Sequence, residues 1–330
     1  MARLVRVIFL LVGVGLLAVL FTRTDLAAVR AYMREMGWTF PLIFLPYIAV
    51  YLCDTVGWRW AFGPTVRIRF RTLFLTRVAG EAINNLTPFA YLGGEPVKAH
   101  LLTRFHIPMI EGMAASIIAK LLVSISQFMF VTLGGILAIS HLVTRPAILW
   151  ALVGVVLGAG GLLAGLSRGL QRGLFMQLFR LLDRWQLTPA ILERWRAQLR
   201  LLDETIAGFY QHHARRVGWS LLFHFLGWLL GGLEVYTIFY AVGRSIHLTE
   251  AIAIEALVTV AKALAFFIPA GLGVQEGGNV LTLAVFGFSA SLGVTFSLLR
   301  RLRELVWISL GLVVLLRHYG WRSPPASWSG

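Results

Sequence analysis

The sequence is poor in the residues that build disulfides, metal sites and nucleotide-binding loops. Its single cysteine, Cys53, excludes a disulfide within the chain, and its eight histidines show no metal-ligand spacing. No GxxxxGK[ST] sequence is present, so nucleotide hydrolysis within this chain is not expected. Charged residues make up only 14% of the chain, which excludes an ordinary soluble domain. We therefore expect neither a cofactor nor a bound metal.

Long apolar segments make up most of the chain. Hydrophobic residues account for 58% of the 330 positions, and the mean hydropathy is +0.77. These runs are continuous, unlike the short alternating segments of a membrane β-barrel. The sequence therefore predicts an all-α polytopic membrane protein with about seven to eight transmembrane helices. Residues 1–330 are expected to form one integral-membrane domain, with a first half at 1–166, a basic segment at 167–216 and a second half at 217–330.

Basic residues outnumber acidic residues by 30 to 15, which gives a net charge of +15. In a membrane protein such an excess indicates cytoplasmic loops that are attracted to anionic lipid headgroups. The basic residues are scattered between apolar segments, which argues against nucleic-acid binding. An apolar run at 7–21 follows Arg3 and Arg6 and lacks a cleavage site, so we expect an uncleaved first span with a cytoplasmic N-terminus. The expected location is a bacterial inner (plasma) membrane.

Two stretches interrupt the apolar pattern in the same way. Residues 81–98 (EAINNLTPFAYLGGEPVK) and 262–279 (KALAFFIPAGLGVQEGGN) each place a charged residue seven positions before a proline and a glutamate seven after it. Segments broken by Pro and Gly in two corresponding halves indicate the binding site of a transporter with an inverted repeat. We predict two re-entrant hairpins, at 73–98 and 250–279, that enter from opposite faces of the membrane. The hairpin-forming residues would be Pro88, Gly93, Gly94, Pro269, Gly271 and Gly273.

The polar residues of these hairpins form the predicted substrate site. Glu95 and Glu276 would face a shared cavity, because a glutamate inside a membrane requires a partner, a proton or a ligand. Glu81 and Lys262 occupy matching positions and could instead form a structural ion pair. The other candidates for binding a charged or zwitterionic lipid headgroup are Asn84, Asn85, Thr87, Lys98, Lys120, Lys262, Arg300 and Arg301.

Other charged residues are expected to have structural roles. We expect Asp54 to pair with Arg59 at the membrane interface. Glu111, Glu234 and Glu255 are more typical of structural contacts than of a substrate site. After an uncharged span at 279–299, the positive-inside rule predicts a cytoplasmic turn at Arg300, Arg301, Arg303 and Glu304.

The segment at 167–216 carries nine arginines and is therefore expected on the cytoplasmic side. Apolar residues from Leu192 to Phe209 recur at three- and four-residue spacing, which predicts a helix with one apolar face. Such a basic amphipathic helix suits either the membrane surface or the cytoplasmic ends of the helix bundle. About 50 residues without a strand pattern are too few for a soluble catalytic domain.

The sequence around the two hairpins resembles the lysylphosphatidylglycerol synthase transmembrane-region family, also described as flippase-like membrane proteins. That family shows an N-x-x-x-P element that leads to G-G-E-x-x-[KR], and a later P-x-G-x-G-x-x-E. Here these elements run from Asn84 to Pro88, from Gly93 to Lys98 and from Pro269 to Glu276. In length and span layout, the resemblance covers nearly the whole chain.

The resemblance implies lipid translocation or lipid trafficking. The family includes the lipid-flipping half of aminoacyl-phosphatidylglycerol enzymes, and stand-alone proteins associated with hopanoid, glycolipid or polyprenyl-linked pathways. Because the sequence ends at Gly330 without a soluble aminoacyl-transferase half, lysyl transfer is not expected. The expected partner is a membrane phospholipid or an isoprenoid- or hopanoid-type lipid.

Three functions fit these features. The sequence favours a translocase without enzyme activity, whose transport is passive, ion-coupled or driven by a partner. An integral-membrane enzyme acting on a polyprenyl-linked phosphate is an alternative, but the hairpins offer no serine or histidine as nucleophile or base. A non-transporting scaffold of a lipid-synthesis complex is the third. The sequence does not indicate the oligomeric state.

Overall fold

The computed structural model describes residues 26–86, 93–185, 193, 195–264 and 273–319, and every regular element within them is helical. The predicted all-α class is therefore confirmed for this part of the chain. A 3₁₀ helix, Gly37–Phe44, joins the first two helices, and a π-helix, Leu315–Tyr319, follows the last. Apart from the one-turn helix Ile139–Leu142, the α-helices are α1 (Leu26–Met36), α2 (Leu45–Trp60), α3 (Phe70–Leu86), α4 (Gly94–Thr103), α5 (Met109–Leu137), α6 (Pro146–Gln171), α7 (Leu174–Arg184), α8 (Arg196–His212), α9 (Ala214–Ala241), α10 (Leu248–Leu264), α11 (Val274–Val285) and α12 (Ala290–Val314).

Several helices have the length and apolar composition that a membrane crossing requires. The predicted span at 7–21 lies outside the described residues, and the total of about seven to eight spans stays a prediction. Within the described ranges, four helical stretches are long and apolar enough to cross a membrane, which are Val29–Trp60, Met109–Leu137, Pro146–Gln171 and Ala214–Ala241.

Each predicted hairpin contains two helices that pack against each other. Helix α3 contacts α4, and α10 contacts α11. The residues that join these helices, 87–92 and 265–272, are outside the described ranges, and the re-entrant path stays a prediction. Four predicted residues fall in these two gaps, namely Thr87, Pro88, Pro269 and Gly271.

The predicted span at 279–299 is wrong, because two helices share it. Helix α11 ends at Val285, and α12 begins at Ala290. Between them, Gly287 has a φ of 82°, a left-handed conformation that glycine adopts readily. The hydroxyl of Ser289 then accepts a hydrogen bond of 3.3 Å from the N–H of Leu292 and caps α12. Hydropathy did not predict this break because the residues on both sides are equally apolar.

The predicted cytoplasmic turn at Arg300–Glu304 is also wrong. These residues lie in the interior of α12, which continues through them to Val314. Arg300 and Arg303 are buried, and carboxylates from α9 and α10 neutralise them. The positive-inside rule counts basic residues without regard to their partners, so it cannot distinguish such a buried cluster from a loop.

The two hairpins pack on the long helices in a reciprocal pattern. Helix α3 of the first hairpin lies against α12, and α10 of the second lies against α5. The second helix of each hairpin packs on the long helix that directly follows it, α4 on α5 and α11 on α12. Helices α2 and α9 pack against each other. The two halves of the chain therefore interlock rather than form separate bodies.

Glycines allow the closest of these helix contacts. A Cβ at Gly134 of α5 would collide with Ala256 of α10, and a Cβ at Gly311 of α12 would collide with Ala82 of α3. Small residues let helix backbones approach closely, which strengthens van der Waals packing where apolar lipid offers no hydrophobic driving force. These two contacts fix the reciprocal arrangement of hairpins and long helices.

We expect Gly134→Val to destabilise the protein, because the new side chain would separate α5 from α10. Overpacking of this kind typically costs about 1–3 kcal/mol. The measurement is the melting temperature of the purified protein in detergent. Gly161→Val on α6 is the matched control, since a Cβ there meets nothing within 4 Å. Equal melting temperatures for the two variants would show that α5 and α10 do not approach so closely.

The basic segment folds into helices α7 and α8. Leu202, Ile206 and Phe209 of α8 are buried in a cluster with residues of α5, so this helix packs on the bundle rather than lying free on the membrane surface. The Asp203 carboxylate accepts backbone hydrogen bonds from Phe175 at 3.1 Å and from the next residue at 2.8 Å. A carboxylate at a helix N-terminus is favourable, so Asp203 secures α7 against α8.

Candidate functional site

A cavity of about 420 Å³ lies among the helices of both halves. Its walls come from α2, α3, α4, α5, α9, α10 and α12. Six of the predicted site residues line it, and tyrosine, tryptophan, serine and histidine side chains complete the walls. The six predicted residues are Glu81, Glu95, Lys98, Lys120, Lys262 and Arg300.

Lys98 joins two carboxylates of the first hairpin. Its Nζ lies 2.9 Å from the carboxylate of Glu95 and 3.4 Å from that of Glu81. Glu95 and Lys98 share one face of α4 because they are three positions apart. The stem of Lys98 crosses Gly80, where any Cβ would collide with it. Lys120 of α5 lies within electrostatic range of these three charges and lines the same cavity.

The two asparagines predicted to bind substrate make contacts within the first hairpin. Asn84 is buried, and its Oδ1 accepts a hydrogen bond of 2.6 Å from the N–H of Gly94. This bond ties the end of α3 to the start of α4. Asn85 is exposed and donates a hydrogen bond of 2.8 Å to the carbonyl of Glu81. Within the described residues, neither asparagine belongs to the cavity lining.

Asp54 lies in the cavity wall, and the prediction that it pairs with Arg59 is wrong. One carboxylate oxygen of Asp54 is 2.7 Å from Arg77 Nη2, and the other is 2.9 Å from His224 Nδ1. Arg77 comes from α3 and His224 from α9, so Asp54 connects three helices. Arg59 lies five positions after Asp54 in α2, on a different face of the helix.

Four buried charges form a cluster across α9, α10 and α12. Glu234 accepts hydrogen bonds from Arg303 at 2.5 Å and from Arg300 at 3.0 Å. Arg300 also donates to Glu255. All four side chains are buried, and the Arg303 guanidinium lies 3.7 Å above the Tyr47 ring. A buried charge is costly without partners, so this cluster holds the three helices in one arrangement.

The second hairpin holds its charges differently from the first. Glu276 is 2.6 Å from Arg301 Nε and accepts a hydrogen bond of 2.7 Å from the N–H of Gly273. Lys262 pairs with Glu304 at 3.1 Å. In the described structure, Glu276 and Arg301 lie outside the cavity lining, so Glu95 faces the cavity and Glu276 does not.

The predicted pair of Glu81 and Lys262 is replaced by two others. Glu81 is bound to Lys98, and Lys262 is bound to Glu304. Each partner comes from the same half of the chain as the residue it binds. Proximity in the fold, rather than matching position in the two motifs, decides these pairs.

The charges of the cavity and its walls are balanced. We count every described residue that lines the cavity or connects to its walls through ion pairs. The seven basic residues are Arg77, Lys98, Lys120, Lys262, Arg300, Arg301 and Arg303, and the seven carboxylates are Asp54, Glu81, Glu95, Glu234, Glu255, Glu276 and Glu304. With His224 neutral, the network therefore carries no net charge.

Comparison with known proteins identifies the family of this chain. The family described as "Lysylphosphatidylglycerol synthase TM region" matches residues 6–328. The chain belongs to this family. It is also similar to a protein named "UPF0104 membrane protein" from Methanothermobacter thermautotrophicus, with 25% identity over 260 residues, 76% of each chain. No solved structure matches the chain.

Membership in this family is consistent with a multi-pass membrane protein, and the structure shows what its motif residues do. In the G-G-E-x-x-K element, Gly94 bonds to Asn84, and Glu95 pairs with Lys98. In the later element, Gly273 has a φ of 76°, and its N–H donates to Glu276. Both glutamates therefore lie in the first turn of a helix, where a negative charge is favourable.

Sequence reasoning predicted the three lysines of the cavity but missed several other cavity residues. The chain contains thirty basic residues but only three lysines. All three, Lys98, Lys120 and Lys262, line the cavity. Arg77 and His224 carried no such signal, because each gains its importance from a carboxylate elsewhere in the chain.

Proposed function

We propose that this protein is a lipid translocase that moves a lipid with a polar headgroup between the two leaflets. The observation that carries the proposal is the cavity of about 420 Å³, which is lined by charges among apolar helices. A headgroup that leaves water loses its hydration shell, and paired charges on the walls can replace it. The acyl chains would stay in the surrounding lipid while the headgroup occupies the cavity.

A constant sequence offset supports an inverted repeat of the kind found in transporters. Glu95 and Glu276, Pro88 and Pro269, and Glu81 and Lys262 are each 181 positions apart. The same offset relates the starts of α5 and α12, the ends of α2 and α9, and the cations Lys120 and Arg301. It therefore extends well beyond the two motifs, without an insertion or deletion.

Equivalent packing contacts support the same repeat. A Cβ at Gly112 would lie 3.1 Å from the Cα of Ala99, and a Cβ at Gly293 would lie 2.8 Å from the Cα of Val280. Both pairs again differ by 181 positions. Each glycine lies in the first turn of a long helix and meets the hairpin helix that precedes it. The two halves thus repeat a contact as well as a sequence pattern.

Equivalent glutamates of the two halves differ in whether they face the cavity. Such a difference is expected of a transporter with alternating access. Glu95 lines the cavity, whereas its equivalent Glu276 is paired with Arg301 outside it. In a transporter with inverted repeats, the opposite state arises when the two repeats exchange conformations. We infer that Glu276 and Arg301 face the cavity in that second state, while their equivalents Glu95 and Lys120 withdraw from it.

The proposed setting is a plasma membrane, with the N-terminus and the segment 167–216 on the cytoplasmic side. Helix α7 exposes Leu178 and Leu181 along one face, with Trp185 directly after its end, and carries Arg180 and Arg184 beside them. Apolar side chains flanked by arginines suit the boundary of a leaflet that contains anionic lipids. Anionic headgroups at this surface are therefore proposed as additional partners.

One observation favours the enzyme alternative over the scaffold. His224 is held by Asp54 beside the cavity, an arrangement that also orients a general base. Ser116 lines the same cavity. An enzyme acting on a polyprenyl-linked phosphate would release inorganic phosphate, which a translocase would not.

We expect Glu95→Gln to slow lipid translocation at least about tenfold, because it removes the charge that holds Lys98 in the cavity wall. The assay uses proteoliposomes that contain fluorescent phospholipids. Albumin extracts the fluorescent lipid that has reached the outer leaflet, which gives the rate of translocation. Glu276→Gln should also slow transport, since the exchanged state would need it. Glu204→Gln is the matched control on the exposed face of α8.

Three results would count against this proposal. If both variants transport lipid like the wild type, the assignment of the cavity is wrong. If the wild type moves no lipid above protein-free vesicles, the translocase function is wrong. If it releases phosphate from a polyprenyl diphosphate in the same vesicles, the enzyme alternative replaces it.

A further inference from the structure

His224 differs from the other polar groups of the cavity. Its Nδ1 lies 2.9 Å from Asp54, and a carboxylate can only accept a hydrogen bond, so Nδ1 carries the hydrogen. In the neutral ring, Nε2 is then the nitrogen that can bind a proton. This atom is buried and has no hydrogen-bond partner among the described residues. His224, which lines the cavity, therefore carries an unused basic nitrogen that packs beside Gly57 of α2.

Each helix that packs against α9 around the cavity contributes a charged group to the lining that His224 shares. Asp54 comes from α2, Lys120 from α5 and Glu255 from α10, and all three line the same cavity as His224. Arg77 of α3 binds the second oxygen of Asp54. Of these groups, only a histidine ordinarily changes its charge between about pH 5 and pH 8.

The net charge around the cavity indicates what protonation of His224 would change. The cavity lining and the charges paired with it hold seven basic residues and seven carboxylates, so together they are neutral when His224 is neutral. A zwitterionic headgroup preserves this neutrality. A headgroup with one net negative charge does not, and an uncompensated charge among apolar helices is costly. One proton on His224 would restore the balance.

We propose that His224 binds a proton together with a lipid whose headgroup carries one net negative charge, such as a phosphodiester without an amine. This inference rests on the proposed translocase function and adds the substrate class and the source of energy. Coupling between two bound species is reciprocal, so the lipid favours the proton as much as the proton favours the lipid. The two would enter from one side of the membrane and leave together on the other.

The test compares two fluorescent lipids in proteoliposomes that contain the wild-type protein. Phosphatidylglycerol carries one negative charge, and phosphatidylcholine is zwitterionic. We expect transport of phosphatidylglycerol to rise on the order of five- to tenfold from about pH 8 to about pH 6, since typical couplings have this size. Transport of phosphatidylcholine should not change with pH. His224→Gln should abolish the pH response, because glutamine can still donate to Asp54 but cannot take up the proton.

His212→Gln is the matched control, since His212 is exposed on α8 and should leave the pH response intact. Elution volume and melting temperature in detergent show whether the variants are folded. A second measurement uses only the wild type. A pH gradient across the vesicle membrane should concentrate phosphatidylglycerol, but not phosphatidylcholine, in the leaflet facing the less acidic side.

The outcomes separate the two proposals. A wild type that moves neither lipid would overturn the translocase function and this coupling with it. Lipid movement with the same pH response in the wild type and in His224→Gln would overturn the coupling alone. An equal response of both lipids, or no asymmetry under a pH gradient, would also overturn it.

Discussion

Glu234→Leu is expected to destabilise this protein strongly. Glu234 is the shared acceptor of Arg300 and Arg303, and all three side chains are buried. Without it, Arg303 would keep the Tyr47 ring and, as its one carboxylate partner among the described residues, Glu304 at 3.8 Å. Removing one partner from a buried ion pair typically costs about 3–5 kcal/mol, because the remaining charge stays in a low-dielectric environment. The expected result is a large decrease in melting temperature in detergent.

The control for this experiment is an ion pair at the surface. Arg200 and Glu204 of α8 lie 2.9 Å apart, with side chains 74% and 59% exposed. We expect Glu204→Leu to change the stability by less than about 1 kcal/mol, since water solvates the remaining charge. If the two leucine variants melted at the same temperature, Glu234 would not hold α9 and α12 together.

Lys98→Met should nearly abolish transport. It would leave Glu81 and Glu95 without the ammonium that joins them and give the cavity one net negative charge. An anionic headgroup would then be repelled, so we expect translocation of phosphatidylglycerol to fall at least about tenfold. The methionine chain retains the apolar stem that packs across Gly80, which favours a folded variant. The assay in proteoliposomes measures the loss directly.

The double variant Lys98→Met/Glu95→Gln distinguishes the effect of net charge on transport from the effect of side-chain shape. It removes one charge of each sign, so the cavity region is neutral again. We expect it to recover part of the transport that Lys98→Met loses, because neighbouring charges are not additive in their effects. A double variant slower than both single variants would show that Lys98 and Glu95 contact the headgroup separately. Arg200→Met, on the exposed face of α8, should transport like the wild type.

The membrane class and the location of the hairpins could be predicted from local patterns. Long apolar runs exclude a soluble fold, and Pro and Gly in such runs mark the places where a helix breaks. Glu95 and Lys98 were predicted as site residues because they lie in the first broken segment. Their contact with each other was not predicted, although they lie three positions apart on one helix. The break at Gly287 was missed because apolar residues lie on both sides of it.

The partners of the other charges depend on distant parts of the chain. Asp54 and His224 are 170 positions apart, and Arg300 and Glu234 are 66 apart. Nothing local indicates that these residues meet, so Arg300 and Arg303 were predicted to lie in a loop. A charged side chain inside a membrane protein needs a partner. For these residues, the partner comes from another helix and is therefore defined only by helix packing.

The sequence by itself determined that this protein is a helical membrane protein with two broken segments, because hydropathy and helix breaks are local properties. It also shows that the two broken segments carry the same Pro and Glu spacing, 181 positions apart. Only the tertiary structure decided that seven basic residues and seven carboxylates come together around one cavity, either in its lining or paired with residues of its lining. The physical reason is that the energy of a buried charge depends on what packs against it, and several helices from both halves must meet before that is defined.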